Sequence, residues 1–274
     1  MQKTSIVRLQ MPYSNNPGEY FSFRLKEKLQ NEPAQYEASE KIVIVSDIQG
    51  DFWAFQRLLV KNGIIDHQHR WTFDDGHLVI AGNCFDKIGC SIECLWLIYS
   101  LEEKARRAGG YVHFILGNHE IININGGWRY NHPKYAMSDN AKTVITALYE
   151  GNNVLWPWLY TKNVVERIGN ILIIHRHVLS DPGFFNYSVA EVNQLVRSAA
   201  FKIEILEEPP LLNLMNLASE NWGVDTIVTG YEVIEKGGLV FNVRQTSDDL
   251  DGLLIRRGRY YRLNFNGGRE ELVF

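Results

Sequence analysis

The sequence predicts an α/β fold, layered, with neighbouring parallel strands and helices packed on the sheet. Three observations predict it. Short apolar, β-branched runs at "KIVIVSD" (Lys41 to Asp47), "HLVIAG" and "YVHFILGN" read as buried strands. Segments with helical spacing separate them, giving the order β-α-β-α-β. Each apolar run also ends in a polar turn, and carboxyl strand ends line the ligand crevice of an open α/β sheet.

Taken in order, residues 1–40 are polar and broken by Pro12, Pro17 and Pro33, so they read as an irregular lead-in with a helical turn at Phe23 to Leu29. Residues 41–274 read as one domain. After the first strand, Phe52, Phe55, Leu58 and Leu59 fall on one helix face, and Gly63 supplies the stop. The helix after the second strand has Ser91 as an N-cap candidate. Cys94, Leu95, Ile98 and Leu101 line its face, and Gly109-Gly110 ends it. A helical middle region follows the third strand and includes "NAKTVITALYEG". Then come a strand at Asn170 to His177 and a helix around Val189 to Leu206. The short runs "DTIVTGYE", "GGLVFNVRQ", "GLLIRRG" and "RYYRLNF" read as consecutive strands of a second sheet.

At 274 residues the chain can bury a core without staples, and 45% hydrophobic with 22% charged residues is ordinary for a globular protein. A net charge of −4 argues against nucleic acid. No run approaches the roughly 18 apolar residues of a membrane helix. Cys84, Cys90 and Cys94 lie within eleven residues and cannot all pair, so no disulfide framework is implied and the cytoplasm is the expected compartment. Cys84 reads as a small packed hydrophobe, and Cys90 and Cys94, one helical turn apart, have no nearby Cys or His pair to complete a zinc site. His67, His69 and His77 read as surface or loop residues, His113 as a core histidine with its partners satisfied, and Trp156 and Trp158 as packing. Oligomeric state is not readable.

Five strand ends carry polar clusters: Ser46-Asp47-Ile-Gln49-Gly50-Asp51, Gly82-Asn83-Cys-Phe-Asp86-Lys87, Gly117-Asn118-His119-Glu120, His175-Arg176-His177 and Thr229-Gly230-Tyr231-Glu232. Any one of them is ordinary turn chemistry. Five from separate regions, with Asp, Asn and His recurring one or two positions past an apolar strand, point to a common site.

The succession "SDIQGD", "GNCFDKIG", "GNHE", "IIHRH" and "TGYE" resembles the calcineurin-like metallophosphoesterases, in the branch with a Gly-Asn-His-Glu motif that includes the serine/threonine protein phosphatases. "GNHEIININGGWRYNHPKY" further resembles the bacterial Shewanella-like phosphatases, where an Arg-Tyr pair follows that motif. The resemblance covers about residues 41–265. It implies two stacked mixed β-sheets flanked by helices. It also implies a two-metal phosphomonoester site (Mn, Fe or Zn) acting on a phosphate ester or phosphoprotein.

Carried over residue by residue, the resemblance makes Asp47 a ligand of the first metal and puts Gln49 where the family has a histidine. Asn83 stands where an aspartate bridges both ions. Asn118 and His175 match second-metal ligands, and Tyr231 replaces another histidine. His119 matches the proton donor to the leaving group, and Asp86 the carboxylate that orients it. Lys87 replaces a phosphate-holding arginine. Asn118 and Arg129 complete the phosphate contacts. Three of the six metal positions are therefore altered. An amide at 83 offers one neutral oxygen in place of a bridging anion. Gln49 offers a carbonyl instead of an imidazole. Tyr231 must lose a proton of pKa about 10. Losing even one ligand or its support commonly costs about 10- to 100-fold. The implied expectation is weak or lost hydrolysis with one ion or none. The alternative is a pseudophosphatase that binds a phosphorylated ligand or a protein partner.

Overall fold

The computed structural model describes residues 6–10, 20–85, 90–124, 154–175, 182–198, 211–229, 232–235, 238–242 and 250–272. The lead-in is less irregular than its prolines suggest. Strands β1 (Ile6–Gln10) and β2 (Tyr20–Arg24) form an antiparallel pair, and β3 (Gln35–Tyr36) joins a larger sheet. Phe23 lies in β2, not in the expected helical turn, and its buried ring stacks on Trp96 with centroids 5.0 Å apart.

The segment from 26 to 36 is tied down by charge. Lys162, fully buried, donates to Glu32 Oε1 (2.8 Å) and Glu102 Oε1 (2.6 Å). Lys26 pairs with Glu102, and Trp158 Nε1 donates to Glu102 Oε1 (3.0 Å). Ions leave water only when they are paired and hydrogen-bonded, and this cluster meets both conditions.

β4 (Lys41–Val45), β5 (His77–Ala81) and β6 (Tyr111–Ile115) pair in parallel, with α1 (Phe52–Lys61) and α2 (Ser91–Arg107) as the crossovers. This is the β-α-β-α-β unit read from the sequence. A short helix α3 (Asn118–Ile124) follows β6 directly, and α4 (Leu155–Tyr160) precedes the antiparallel pair β7 (Val165–Ile168) and β8 (Ile171–Ile174). α5 (Val189–Ser198) begins where expected. The unanticipated α6 (Leu211–Trp222) leads into β9 (Thr226–Val228), β10 (Glu232–Glu235) and β11 (Gly238–Asn242).

The C-terminal strands do not form one sheet. β9, β10 and β11 extend β8, β7 and β3. β12 (Gly252–Arg256), β13 (Arg259–Leu263) and β14 (Arg269–Leu272) instead extend the first sheet, with β12 antiparallel to β4. The result is two six-stranded mixed sheets. Alternate residues explain the layering. Ile42, Ile44, Val79, Ile115, Leu253 and Ile255 of one sheet meet Ile168, Ile171, Ile173 and Val228 of the other. The residues between them, such as Val43, Leu78, Val112, Leu172 and Ile227, face the helices. His113 is a satisfied core residue, with Nδ1 2.6 Å from Glu166 Oε2. His69 is in a loop yet buried.

Candidate functional site

The loops after β4 and β5 run side by side and continue the parallel ladder. Asp47 N donates to Gly82 O (3.2 Å), Gln49 N to Asn83 O (3.0 Å) and Gly50 N to Cys84 O (2.9 Å). This pairing holds three side-chain-bearing residues in the left-handed region: Asp47 (φ 52°), Gln49 (φ 50°) and Asn83 (φ 54°). Asp and Asn tolerate that conformation and Gln does so less well. Backbone strain of about 1–3 kcal/mol per residue persists only where the surroundings enforce it, and such residues cluster at functional sites. Gly82 (φ 80°) has no alternative to glycine. A Cβ there would lie 2.6 Å from His175 Cδ2 and 2.9 Å from Gly117 Cα. Gly82 is thus the point at which the ends of β5, β6 and β8 meet.

Glu120 fixes the second and third loops together. Its side chain is fully buried, and Oε2 accepts from Asn83 N (2.8 Å) and Gly117 N (2.9 Å). Oε1 accepts from Cys84 N (2.7 Å) and Phe85 N (3.2 Å). Burial pushes the Glu120 carboxyl above its ordinary range, and the four N–H donors pull against that.

The polar side chains gather on this frame. Asn83 Nδ2 donates to Asp47 Oδ1 (2.9 Å), and Ser46 Oγ donates to Asp47 Oδ2 (2.5 Å). Asn83 Oδ1 accepts from His119 N (3.4 Å), so both ends of the amide are oriented consistently. Asn118 Oδ1 is buried and has no hydrogen-bond partner among the described residues. His175, fully buried, lies against Gly82. His119 is half-buried on α3, whose backbone Asn123 ties down by donating from Nδ2 to His119 O (2.8 Å).

A family model described as calcineurin-like phosphoesterase matches residues 40–250. The chain belongs to this family. Its relatives include Shewanella-like protein phosphatase 2 of Arabidopsis thaliana, 31% identical over 213 residues, which are 61% of this chain and 54% of that protein. Shewanella-like protein phosphatase 1 of Plasmodium berghei is 30% identical over 94 residues, 34% of this chain and 26% of that protein. The match thus spans about half the length of the Arabidopsis relative and less of the Plasmodium one. A solved structure, the cold-active protein-tyrosine phosphatase of a psychrophilic Shewanella species, superposes with a TM-score of 0.79 at 24% identity, over 97% of this chain and 90% of that one. Calcineurin-like phosphoesterases generally use divalent metals.

Of the residues picked out in the sequence, Asp47, Gln49, Asn83 and His175, past the ends of their strands, and Asn118 and His119, in the first turn of α3, converge here. Asp86, Lys87, Arg129 and Tyr231 lie outside the described residues, as do Arg176 and His177. Sequence reasoning gave no role to Ser46 or Glu120. Only their place inside the polar clusters marked them. Cys84, Cys90 and Cys94 are buried and form no disulfide, and Cys84 sits as the packed small residue expected.

Proposed function

We propose that this phosphatase-family chain binds a phosphorylated ligand, a phosphate ester or a phosphoprotein segment, without sustaining two-metal hydrolysis. The observation that carries this reading is the bond from Asn83 Nδ2 to Asp47 Oδ1. A bridging carboxylate at position 83 would turn an anionic oxygen toward each cation. Here an N–H donor faces the carboxylate instead, and the amide oxygen points to the backbone of His119. With Ser46 on its other oxygen, both Asp47 carboxylate oxygens accept hydrogen bonds from protein donors.

The remaining carboxylate of the frame, Glu120, is engaged by four backbone N–H groups. The family positions 49, 83 and 231 carry Gln, Asn and Tyr, a donor set that fits a two-ion centre poorly. By the family resemblance, Lys87, Arg129, Asn118 and His119 supply the phosphate contacts and Asp86 orients His119. Lys binds phosphate as a point charge and lacks arginine's bidentate fork.

A second reading, weak one-ion hydrolysis, is favoured by one observation. Among the described residues Asn118 Oδ1 is a buried acceptor with no donor, which suits a hard cation. Turnover of an aryl phosphate with excess Mn2+, alongside phosphopeptide binding, separates the two. The expected result is binding without turnover. Turnover that His119→Ala abolishes would overturn the binding-only reading.

A further inference from the structure

A cleft of about 180 Å3 opens between β2 and the C-terminal half of α2. Four cations line it, Arg24, Lys26, Lys104 and Arg107, with Tyr99 and Glu103 among its walls. It is not the site described above. Ser91, where α2 begins beside Gly50, is thirteen residues from Lys104, which is about 20 Å along a helix.

The charges in this cleft do not balance. Lys26 is paired with Glu102, and Arg107 with Glu103. Arg24 and Lys104 make no salt bridge among the described residues, and Asp66 acts on Lys104 only from a distance. Lys104 rests on two uncharged oxygens, donating to His69 O (2.9 Å) and Ser100 Oγ (3.4 Å). Cations in the last turn of a helix are ordinarily explained by its dipole. That explanation suits Arg106 and Arg107, which are exposed. It does not explain a lysine folded inward, because a long lysine stem normally delivers its ammonium to water. Burial lowers the Lys104 amine to about 8, and only Asp66 opposes the shift. Tyr99 adds a donor. Its oxygen accepts from Lys26 N (2.7 Å), which leaves its own O–H free to donate.

We propose that this cleft is a second anion site, shaped for a tetrahedral oxyanion of phosphate or sulfate size, either free or carried on a phosphorylated ligand. An anion here would supply the counter-charge that Lys104 and Arg24 lack. The volume is too small for a larger ligand, since drug-sized ligands occupy about 300–1,000 Å3.

The test uses the full chain labelled with 13Cε-lysine. The Lys104 resonance is assigned by its loss in Lys104→Met, and titrations run in inorganic phosphate, a phosphoserine peptide or chloride at equal ionic strength. An opposite charge within a few ångströms shifts a lysine midpoint upward by about 1 pH unit or more. The expected result is therefore a midpoint that climbs from about 8 with phosphate or the peptide, but not with chloride. Arg24→Gln, on an exposed side chain, should weaken that response several-fold without changing the melting temperature. Lys87→Met should leave it intact, which separates this cleft from the family site. A peptide that acts at lower concentration than phosphate identifies a ligand-borne group, and the reverse identifies the free ion. A Lys104 midpoint that ignores both, or a response unchanged by Arg24→Gln, overturns the proposal.

Discussion

Replacing Glu120 by glutamine tests how the site frame is held. The carboxylate accepts four buried backbone N–H groups, two on each oxygen. A glutamine keeps one carbonyl, and therefore one pair of bonds, and presents an NH2 donor to the other pair. Two buried N–H groups then lose their acceptor, at about 1–3 kcal/mol each. A total near 4 kcal/mol is a large share of a typical stability of about 5–15 kcal/mol. At about 2–4 °C per kcal/mol for a chain of this size, the melting temperature should fall by roughly 10 °C. Calorimetry measures the fall. Amide exchange locates it, because the N–H groups of Asn83, Cys84 and Phe85 should lose protection while Ile80 in β5 keeps it. The pH dependence has a definite sign. Burial raises the folded-state pKa of Glu120, so its protonated form favours folding. That contribution is present below the ordinary glutamate range and is lost as pH rises through the folded value. The glutamine variant should lack this slope. A melting temperature within about 2 °C of native, with protection of the three amides unchanged, would refute this account of the frame.

Two other substitutions probe different parts of the fold. Lys162→Met removes the cation that Glu32 and Glu102 share, leaving Arg106 and Lys26 as their remaining ionic partners, and should cost about 3 kcal/mol in a urea melt, the low end for a broken buried pair. Burial alone would raise Glu32, but Lys162, with Tyr111 and Arg106, holds it down to about 2. The stability it supplies should therefore be complete above the ordinary glutamate range and vanish as pH falls toward 2, and the variant should lose that acid-side profile. Gly82→Ala forces a Cβ to 2.6 Å from His175 Cδ2 at φ 80°. Overpacking of this kind costs about 1–3 kcal/mol, and the His175 ring resonances should shift. An unshifted His175 would remove Gly82 from the junction of the three strand ends.

Much of this architecture was legible in the sequence, and the exceptions have physical causes. β4, β5 and β6 announce themselves because strands buried on both faces read as continuous apolar runs. α1 was legible from Phe52, Phe55, Leu58 and Leu59, all buried. The C-terminal strands were visible as strands, but alternation cannot say which sheet a strand joins. β12, buried along Gly252 to Ile255, lies beside β4 in the first sheet. β14 was not visible because Arg269, Glu270 and Glu271 are exposed on a sheet edge. In the site, the polar clusters and their convergence could be read from spacing. The neutral charge at position 83 could be read too. The direction of the Asn83 amide could not, because it depends on Asp47 and His119 arriving from other strands. Glu120 was passed over because its partners are backbone N–H groups, which no residue pattern displays.

The most direct measurement is metal stoichiometry by elemental analysis after equilibration with Mn2+ and desalting, for the native chain and for Asn83→Asp combined with Gln49→His and Tyr231→His. If the Asn83 amide holds Asp47 against cations, the native chain retains well under one ion and the restored chain gains about two, the number used in family-type catalysis. Two tightly held ions in the native chain would contradict that reading of the site.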